Sequence, residues 1–454
     1  MDKHLDYYQV RWKNFKGFTD TDWIKIKPLT IILGANNAGK TNFLAPLLLM
    51  SQTLASKDRL SPLIMKGEIF DGGNFQEVVK NYDLNNEVFL GFRYHTHETD
   101  KTVKDIGSYP PGSFEITLRG NKTSGEIDLK KVTLYDVYKR KFLTLTTKRN
   151  GQFGYKGIGS ETLTKGERAA IETTTPTNFL FSSNTILSDL EAKSDIDKGK
   201  AKRRIERFSK GFTSFLSAIS YNNSRSGKYL GDLSFIGPIR ENPHRIYEVT
   251  NETYNTVGTR GENTINLIKK LGDTNAELNE WIKKFEFGDK IELKHHYSNT
   301  YSLRFKRKGS PYYTNISNSG FGASQILPLI VQALVSPDRN ITIAEQPEIH
   351  LNPKIQGVLA DLFVEMTKKG QTVIIETHSE HLLLRLRRLI AEKQIQSDKV
   401  AIYFVEKNNE ESAIREVKLQ TNGHIDPIDW PKNFFGESLK ESFAIARAQS
   451  VRKK

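Results

Sequence analysis

The chain has 454 residues, 37% of them apolar and 10% aromatic, with no internal repeat; that length suits two or three domains, or one large domain with insertions. The absence of cysteine excludes disulfides and thiolate metal sites and fits a reducing cytoplasm. Lys and Arg exceed Asp and Glu by 14, which suits a polyanionic partner such as nucleic acid or an acidic protein, or equally a solvated basic surface. The most apolar stretches, 42–50 and 326–335, are too short to cross a bilayer, and MDKHLDYYQVRW lacks the apolar run of a secretory signal.

From the amino terminus, VRWKNFKGFTDTDWIKIK alternates apolar and polar residues and predicts two strands. Residues 29–33, LTIIL, read as a buried strand, and 41–54, TNFLAPLLLMSQTL, as a helix. Between them lies LGANNAGKTNF, in which Gly34, Gly39, Lys40 and Thr41 fit G-x-x-x-x-G-K-[ST]. Such a loop cradles the phosphates of ATP or GTP, because successive backbone N–H groups and the helix terminus behind them form an anion site. The expected nucleotide contacts are Asn36, Asn37, Ala38, Gly39, Lys40, Thr41 and Asn42, with Lys40 reaching the β- and γ-phosphates and Thr41 holding Mg²⁺. A bare glycine turn is the competing reading, and the flanking strand and helix argue against it.

Segments 85–95, 113–119, 126–137 and 141–157 alternate and predict an antiparallel β arm, the last with a hairpin through Arg149–Gln152. Over 200–220, Ile205, Phe208, Phe212, Leu216 and Ile219 share one helical face. The opposite face carries Lys202, Arg203 and Lys210 and reads as solvated, with contact to nucleic acid or an acidic partner as the alternative. No long heptad run occurs, which excludes a long coiled-coil rod. Residues 264–285 predict a helical pair and 290–308 a return to β, on which His295 and His296 point to opposite faces and share no metal.

Three pieces near the carboxyl end complete the pattern. In 316–334, glycines and small polar residues lead into an apolar helix, a second terminus able to bind an anion; a plain glycine loop with Ser324 as N-cap is the alternative. Residues 340–348, NITIAEQPE, give an apolar strand ending in Glu345, Gln346, Pro347 and Glu348. After a helix at 354–368, the strand TVII ends in Glu376, Thr377, His378 and Ser379, an order that suits a parallel crossover. Phosphoryl transfer needs a metal-bound carboxylate and a group that orients water, and these strand ends supply candidates.

With Phe15, Lys16, Gly17 and Phe18 ahead of the phosphate loop, these pieces resemble the SMC-like and OLD-like ATPases of the ABC class. IFDGGNFQEVV, FIGPIRENPHRIY and VAIYFVEKNNEESAIREVKLQTNGHIDPIDWPKNFF resemble stretches of a prokaryotic subset encoded in antiphage operons, with the ATPase subunits of the Septu and PARIS systems nearest. The resemblance implies ATP and Mg²⁺ as cofactors, Glu345 as the metal-side acid and His378 as the γ-phosphate sensor. It further implies Gln76 as a nucleotide-facing glutamine and Ser319, Gly320, Gly322 and Ser324 as the signature that touches the ATP of another protomer. Gln346 stands where the family has its catalytic glutamate, so hydrolysis is expected to be slow or to draw on Glu348. The implied partners are a second copy of the chain joined through ATP, a higher homo-oligomer, a nuclease effector subunit, and a phage protein or nucleic acid as trigger, with no membrane.

A built-in nuclease of the OLD kind is not expected. Glu406 stands where such a domain would have its glutamate, but the following glycine is missing and no D-x-D occurs downstream. The expected fold is α/β: a P-loop ABC-type ATPase head, a mixed sheet flanked by helices, with an antiparallel β arm and a helical insertion. The expected divisions are 1–95 and 311–400 for the two halves of the head, 96–230 for the insertion, 231–310 for a linking segment, and 401–454 for a small C-terminal domain.

Overall fold

The computed structural model describes residues 7–58, 61–95, 113–135, 141–148, 151–157, 162–174, 176, 178–193 and 209–426. β1 (Tyr7–Phe15), β2 (Phe18–Asp20) and β3 (Ile24–Ile26) open the chain, and both later strands pair antiparallel with β1. Tyr8, Val10 and Trp12 point inward from β1, as a period of two requires. Three short strands therefore stand where the sequence predicts two. They split because the chain turns sharply at Lys16–Gly17 and again at Asp22, where Lys16 and Asp22 take positive φ of 49° and 53°.

β4 (Leu29–Gly34) leaves this sheet and is buried at every position. The helix Lys40–Ala55 follows. β5 (Val88–His95) returns to β1, and β6 (Phe114–Gly120), β7 (Ile127–Tyr135), β8 (Lys141–Thr147) and β9 (Phe153–Gly157) add on antiparallel. The strands expected as an arm thus extend the sheet that β1 begins, across the expected division at residue 95. The β8–β9 pair forms the predicted hairpin, closed by the Gln152 carbonyl accepting from the Lys148 N–H at 2.7 Å. Helices Lys165–Thr173, Ser183–Lys193 and Lys210–Ser226 pack on this sheet through Ile171, Ile186, Phe212, Phe215 and Ile219. Of the apolar face predicted for 200–220, Phe212 and Ile219 are buried and Leu216 packs against them; Ile205, Phe208, Lys202 and Arg203 lie outside the described residues.

β10 (Ser234–Ile236) begins the second half. β11 (Tyr247–Glu248), β12 (Lys290–His295), β13 (Thr300–Lys306) and β14 (Tyr313–Asn315) form a small antiparallel sheet beside helices Thr264–Leu271 and Ala276–Lys284. His295 and His296 bond separately, to the Ser298 carbonyl and the Ser302 hydroxyl. The helix Phe321–Val335 leads to β15 (Ile341–Glu345), the helix Pro353–Lys368 to β16 (Thr372–Glu376), and the helix Glu380–Ala391 to β17 (Val400–Asn408) and β18 (Glu411–Glu416).

β4 inserts between β16 and β17, giving a central sheet of order β10-β15-β16-β4-β17-β18 in which only β18 runs antiparallel. Alternate residues face two different cores. Ile32, Ile343, Ile374 and Tyr403 face the first, with the helix Lys40–Ala55 and the N-terminal sheet. Leu29, Ile31, Leu33, Val373, Ile375 and Ile402 face the second, with the helices at 321–335, 353–368 and 380–391. A parallel sheet covered on both faces needs such uninterrupted apolar strands. Among the described residues no helix is long and apolar enough to cross a membrane. Most of the expected C-terminal domain, from 427 onward, lies outside the described residues, and its first two strands belong to the sheet that carries the phosphate loop.

Candidate nucleotide site

The parallel strands β10, β15, β16 and β4 end side by side, and in open α/β sheets ligands bind beyond those carboxyl ends. The loop after β4 exposes Ala35, Asn36 and Asn37 and buries Ala38. Asn37 and Gly39 hold left-handed φ of 60° and 105°. The helix that follows has no side-chain cap and no acid in its first turn, so its leading N–H groups remain available to an anion. Asn42 is half-buried in that first turn.

The loop is braced from behind by β18. Ser412 donates its hydroxyl to the Ala38 carbonyl at 2.9 Å and its N–H to the Gly17 carbonyl at 2.9 Å. A Cβ on Gly39 would lie 2.8 Å from the Ser412 Oγ, so only glycine fits there on both conformational and steric grounds.

Lys40 is buried and folds back on its own loop, donating to the Gly34 and Ala35 carbonyls at 3.1 and 3.0 Å. Its Nζ lies 3.8 Å from the Glu376 Oε1, and the Thr41 hydroxyl donates to the Glu376 Oε2 at 3.0 Å. The β15–β16 register sets Glu345 opposite Glu376. Gln346, half-buried with φ 42°, gives its N–H to the Glu376 carbonyl at 2.7 Å. Glu348 accepts the His378 N–H at 2.7 Å on Oε1. The Glu345 Oε1 and the Glu348 Oε2 are buried without a hydrogen-bond partner.

Electrostatics follow from that burial. Desolvation, reinforced by the charge of Glu376 and opposed by Lys40, pushes the Glu345 carboxyl up to about 8. Burial also raises Glu348 and Glu376, against the His378 N–H for the former and Lys40 for the latter. Burial, then Lys40, lowers His378 and favours its neutral ring. Burial lowers the Lys40 ammonium against the pull of Glu376. Three buried carboxylates (Glu345, Glu348, Glu376) face two buried cations (Lys40, Arg240), which leaves one negative charge in excess. An uncompensated buried charge costs about 3–5 kcal/mol, so the site calls for a proton or a cation.

Mg²⁺ and ATP fit these residues. The free Glu345 oxygen and the Thr41 hydroxyl are hard oxygen donors, and the uncapped helix terminus beside them suits phosphate. Among the described residues no three His, Asp or Glu side chains are placed to hold a metal by themselves. That is the usual condition for Mg²⁺, which takes one or two carboxylates and completes its shell with water and substrate phosphates.

The second glycine segment lies elsewhere. Gly320 is the N-cap of the helix Phe321–Val335, again with no side-chain cap and no acid in the first turn. The Ser319 hydroxyl turns to the Asn315 carbonyl and the Ser324 hydroxyl to the Phe321 carbonyl, so Ser324 lies inside the helix rather than at its cap. Ser319, Gly320 and Gly322 line a cleft of about 660 Å³ with Glu286, Arg307 and His350. Gln76 lies on the short helix Phe75–Val78 and gives its amide to the Tyr82 carbonyl at 3.1 Å. Glu406, on β17, pairs with Arg415 at 3.3 Å.

Two residues of the site, Arg240 and Ser412, were not singled out from sequence, and Glu376 was named at its strand end without a role of its own. The signal for Glu376 was present, as an acid closing an apolar strand in the manner of Glu345. Arg240 and Ser412 sit in segments whose neighbours only folding supplies.

A phosphate loop on a central parallel strand, with carboxylates closing the next two strands across the sheet, β16 and β15, defines a P-loop ATPase. The AAA ATPase domain family matches residues 8–383, and the chain belongs to that family. Residues 395–445 match a second family, described as a protein of unknown function (DUF3696). No curated protein matches the chain. Among solved structures, the SMC head domain from Thermotoga maritima is 12% identical, with a TM-score of 0.37 over 91% of this chain and 99% of that one. The Smc head of Pyrococcus furiosus bound to the C-terminal domain of ScpA is 13% identical, with a TM-score of 0.40 over 91% and 97%. The sheet order and the phosphate loop carry the fold assignment without them.

Proposed function

We propose that this ATPase is the cytoplasmic ATP-binding and hydrolysing subunit of an antiphage defence complex, a switch that holds a nuclease effector and releases or activates it. The observation that carries the ATPase part is the meeting of Lys40, Thr41, Glu345 and Glu376 at adjoining strand ends. Lys40 neutralises the β- and γ-phosphates, and Thr41 with Glu345 holds Mg²⁺, which lowers the charge on the transferring phosphoryl group. Gln346 and Glu348 orient water, and His378 senses the γ-phosphate. The second uncapped helix terminus, at Gly320, faces its own cleft, which suits completion of each site by a second copy of the chain. The defence role rests on the sequence resemblance, and destructive chemistry belongs in this reading to a partner subunit.

Co-purification with the product of the adjacent gene, followed by mass measurement with and without ATP, tests it. The expected result is a nuclease-containing assembly whose composition changes with ATP; a chain that stays monomeric under both conditions would sink the switch. The net charge of +14 favours a second reading, an SMC-like ATPase that binds DNA directly. DNA affinity that depends on ATP and falls steeply with salt would support that reading instead.

A further inference from the structure

Arg240 follows β10, whose Ile236 is in register with Ala344 of β15. Its segment is tied at both ends, the Gly237 N–H to the Thr259 carbonyl at 2.8 Å and the Glu241 N–H to the Arg260 carbonyl at 2.9 Å. Between those ties Ile239 points out, 74% exposed, while Arg240 turns in and is 3% exposed. One guanidinium nitrogen, Nη2, donates to the Glu345 carbonyl at 3.1 Å. The other two, Nε and Nη1, are buried with no partner. Buried guanidinium donors are almost always satisfied, so idle ones on so anchored a residue need a reason. The acidic charge that acts on Arg240 is Glu348, three residues beyond Glu345, whose Oε2 is likewise buried without a hydrogen-bond partner.

We infer that Arg240 is a positioning residue for ATP hydrolysis: it clamps the end of β15, and with it the turn that carries Glu348, and sets a buried positive charge that acts on Glu348, so that Glu348, rather than Gln346, serves the attacking water. The inference deepens the proposed ATPase reading and rests on it. In the step it supports, the water proton passes to the Glu348 Oε2 as the water oxygen bonds to the γ-phosphorus. The bond from that phosphorus to the bridging oxygen breaks, and ADP and phosphate result. Glutamine at 346 can orient water but cannot take its proton, which is why a second carboxylate, steadied by a buried cation, is needed here.

The test uses the full chain with Arg240→Gln, Arg240→Lys, Glu348→Gln and the double variant Arg240→Gln/Glu348→Gln. Turnover of ATP is measured alongside affinity for a fluorescent ATP analogue, and a thermal melt reports folding. Arg240→Gln is expected to lower kcat by more than about 10-fold with analogue affinity held within about 3-fold, and Arg240→Lys to recover part of the loss. The double variant should be no slower than Glu348→Gln alone, because both changes disable one unit. Losses that multiply in the double variant, or analogue affinity that falls in step with kcat, would overturn the inference. If Arg240→Gln does not fold, Arg240→Lys with and without Glu348→Gln carries the same comparison. Wild-type turnover in Glu348→Gln overturns the inference and leaves the ATPase reading standing. A wild-type chain that binds the analogue but never hydrolyses ATP overturns the hydrolysis reading and the inference with it.

Discussion

Two helix termini in this protein look alike in sequence and differ in everything around them. Gly39 and Gly320 each precede a helix with no side-chain cap, no acid in its first turn and a proline inside, Pro46 and Pro328. The first terminus faces Glu345, Glu348 and Glu376 across a buried lysine and is braced by Ser412. The second opens on a cleft with Glu286, Arg307, His350 and a Phe321 that remains 42% exposed. A glycine-led apolar helix therefore supplies an anion site but not its chemistry. The neighbours decide whether the site is equipped for phosphoryl transfer or waits for a surface from outside.

That contrast breaks most readily at Lys40. Lys40→Ala is expected to weaken ATP binding by at least about 100-fold in calorimetric titration, the usual scale for removing one member of a buried charge pair. Unchanged affinity would mean that the first terminus is not the nucleotide site. Next in size, Glu345→Gln should weaken Mg²⁺·ATP by roughly 10-fold while barely changing binding of ATP in EDTA, because only the metal-side oxygen is altered. Equal losses with and without Mg²⁺ would remove Glu345 from the metal.

Ser412→Ala should lower stability by about 1 kcal/mol, the net worth of one hydrogen bond, and ATP affinity only a few-fold. A null result in both melting and binding would show that β18 does not brace the loop. The smallest change in affinity is expected at the other terminus. Gly320→Asp should leave ATP binding by the chain unaltered while abolishing ATP-dependent dimerisation, read by light scattering. Dimerisation that persists would argue against a composite site.

A pH experiment sharpens the same comparison. The Glu345 carboxyl, at about 8 in the fold, lies above its ordinary value, so the folded chain keeps a proton that the unfolded chain releases. Its contribution is therefore most favourable below about pH 4 and falls as pH rises toward 8; Glu348 and Glu376 act in the same direction, and His378 acts in the opposite one. The melting temperature without nucleotide should decline over that window, and Mg²⁺·ATP binding at pH 7 should release a proton. Calorimetry in buffers of differing ionisation enthalpy measures that release, and an absence of released protons would contradict it.

The strand–loop–helix around Lys40 and the strands ending in Glu345 and Glu376 were legible because each is local, an apolar run closed by a glycine loop or an acid. The pairing of β1 with β5, and so the continuity of the supposed arm with the first strand, was not legible, because alternation marks a strand without naming its partner. Nor was the place of β17, which reads as part of a separate ending yet lies against β4.

The amino-acid sequence by itself determined the phosphate loop, the apolar strands and the acids that close them, since spacing and hydrophobic period act over a few residues. Tertiary structure alone decided which of those ends meet. Burial then pushed Glu345 upward, the β10 connection aimed Arg240 at the Glu345 carbonyl, and β18 set Ser412 behind Gly39. Each depends on desolvation or contact between segments more than a hundred residues apart, and no local pattern encodes either.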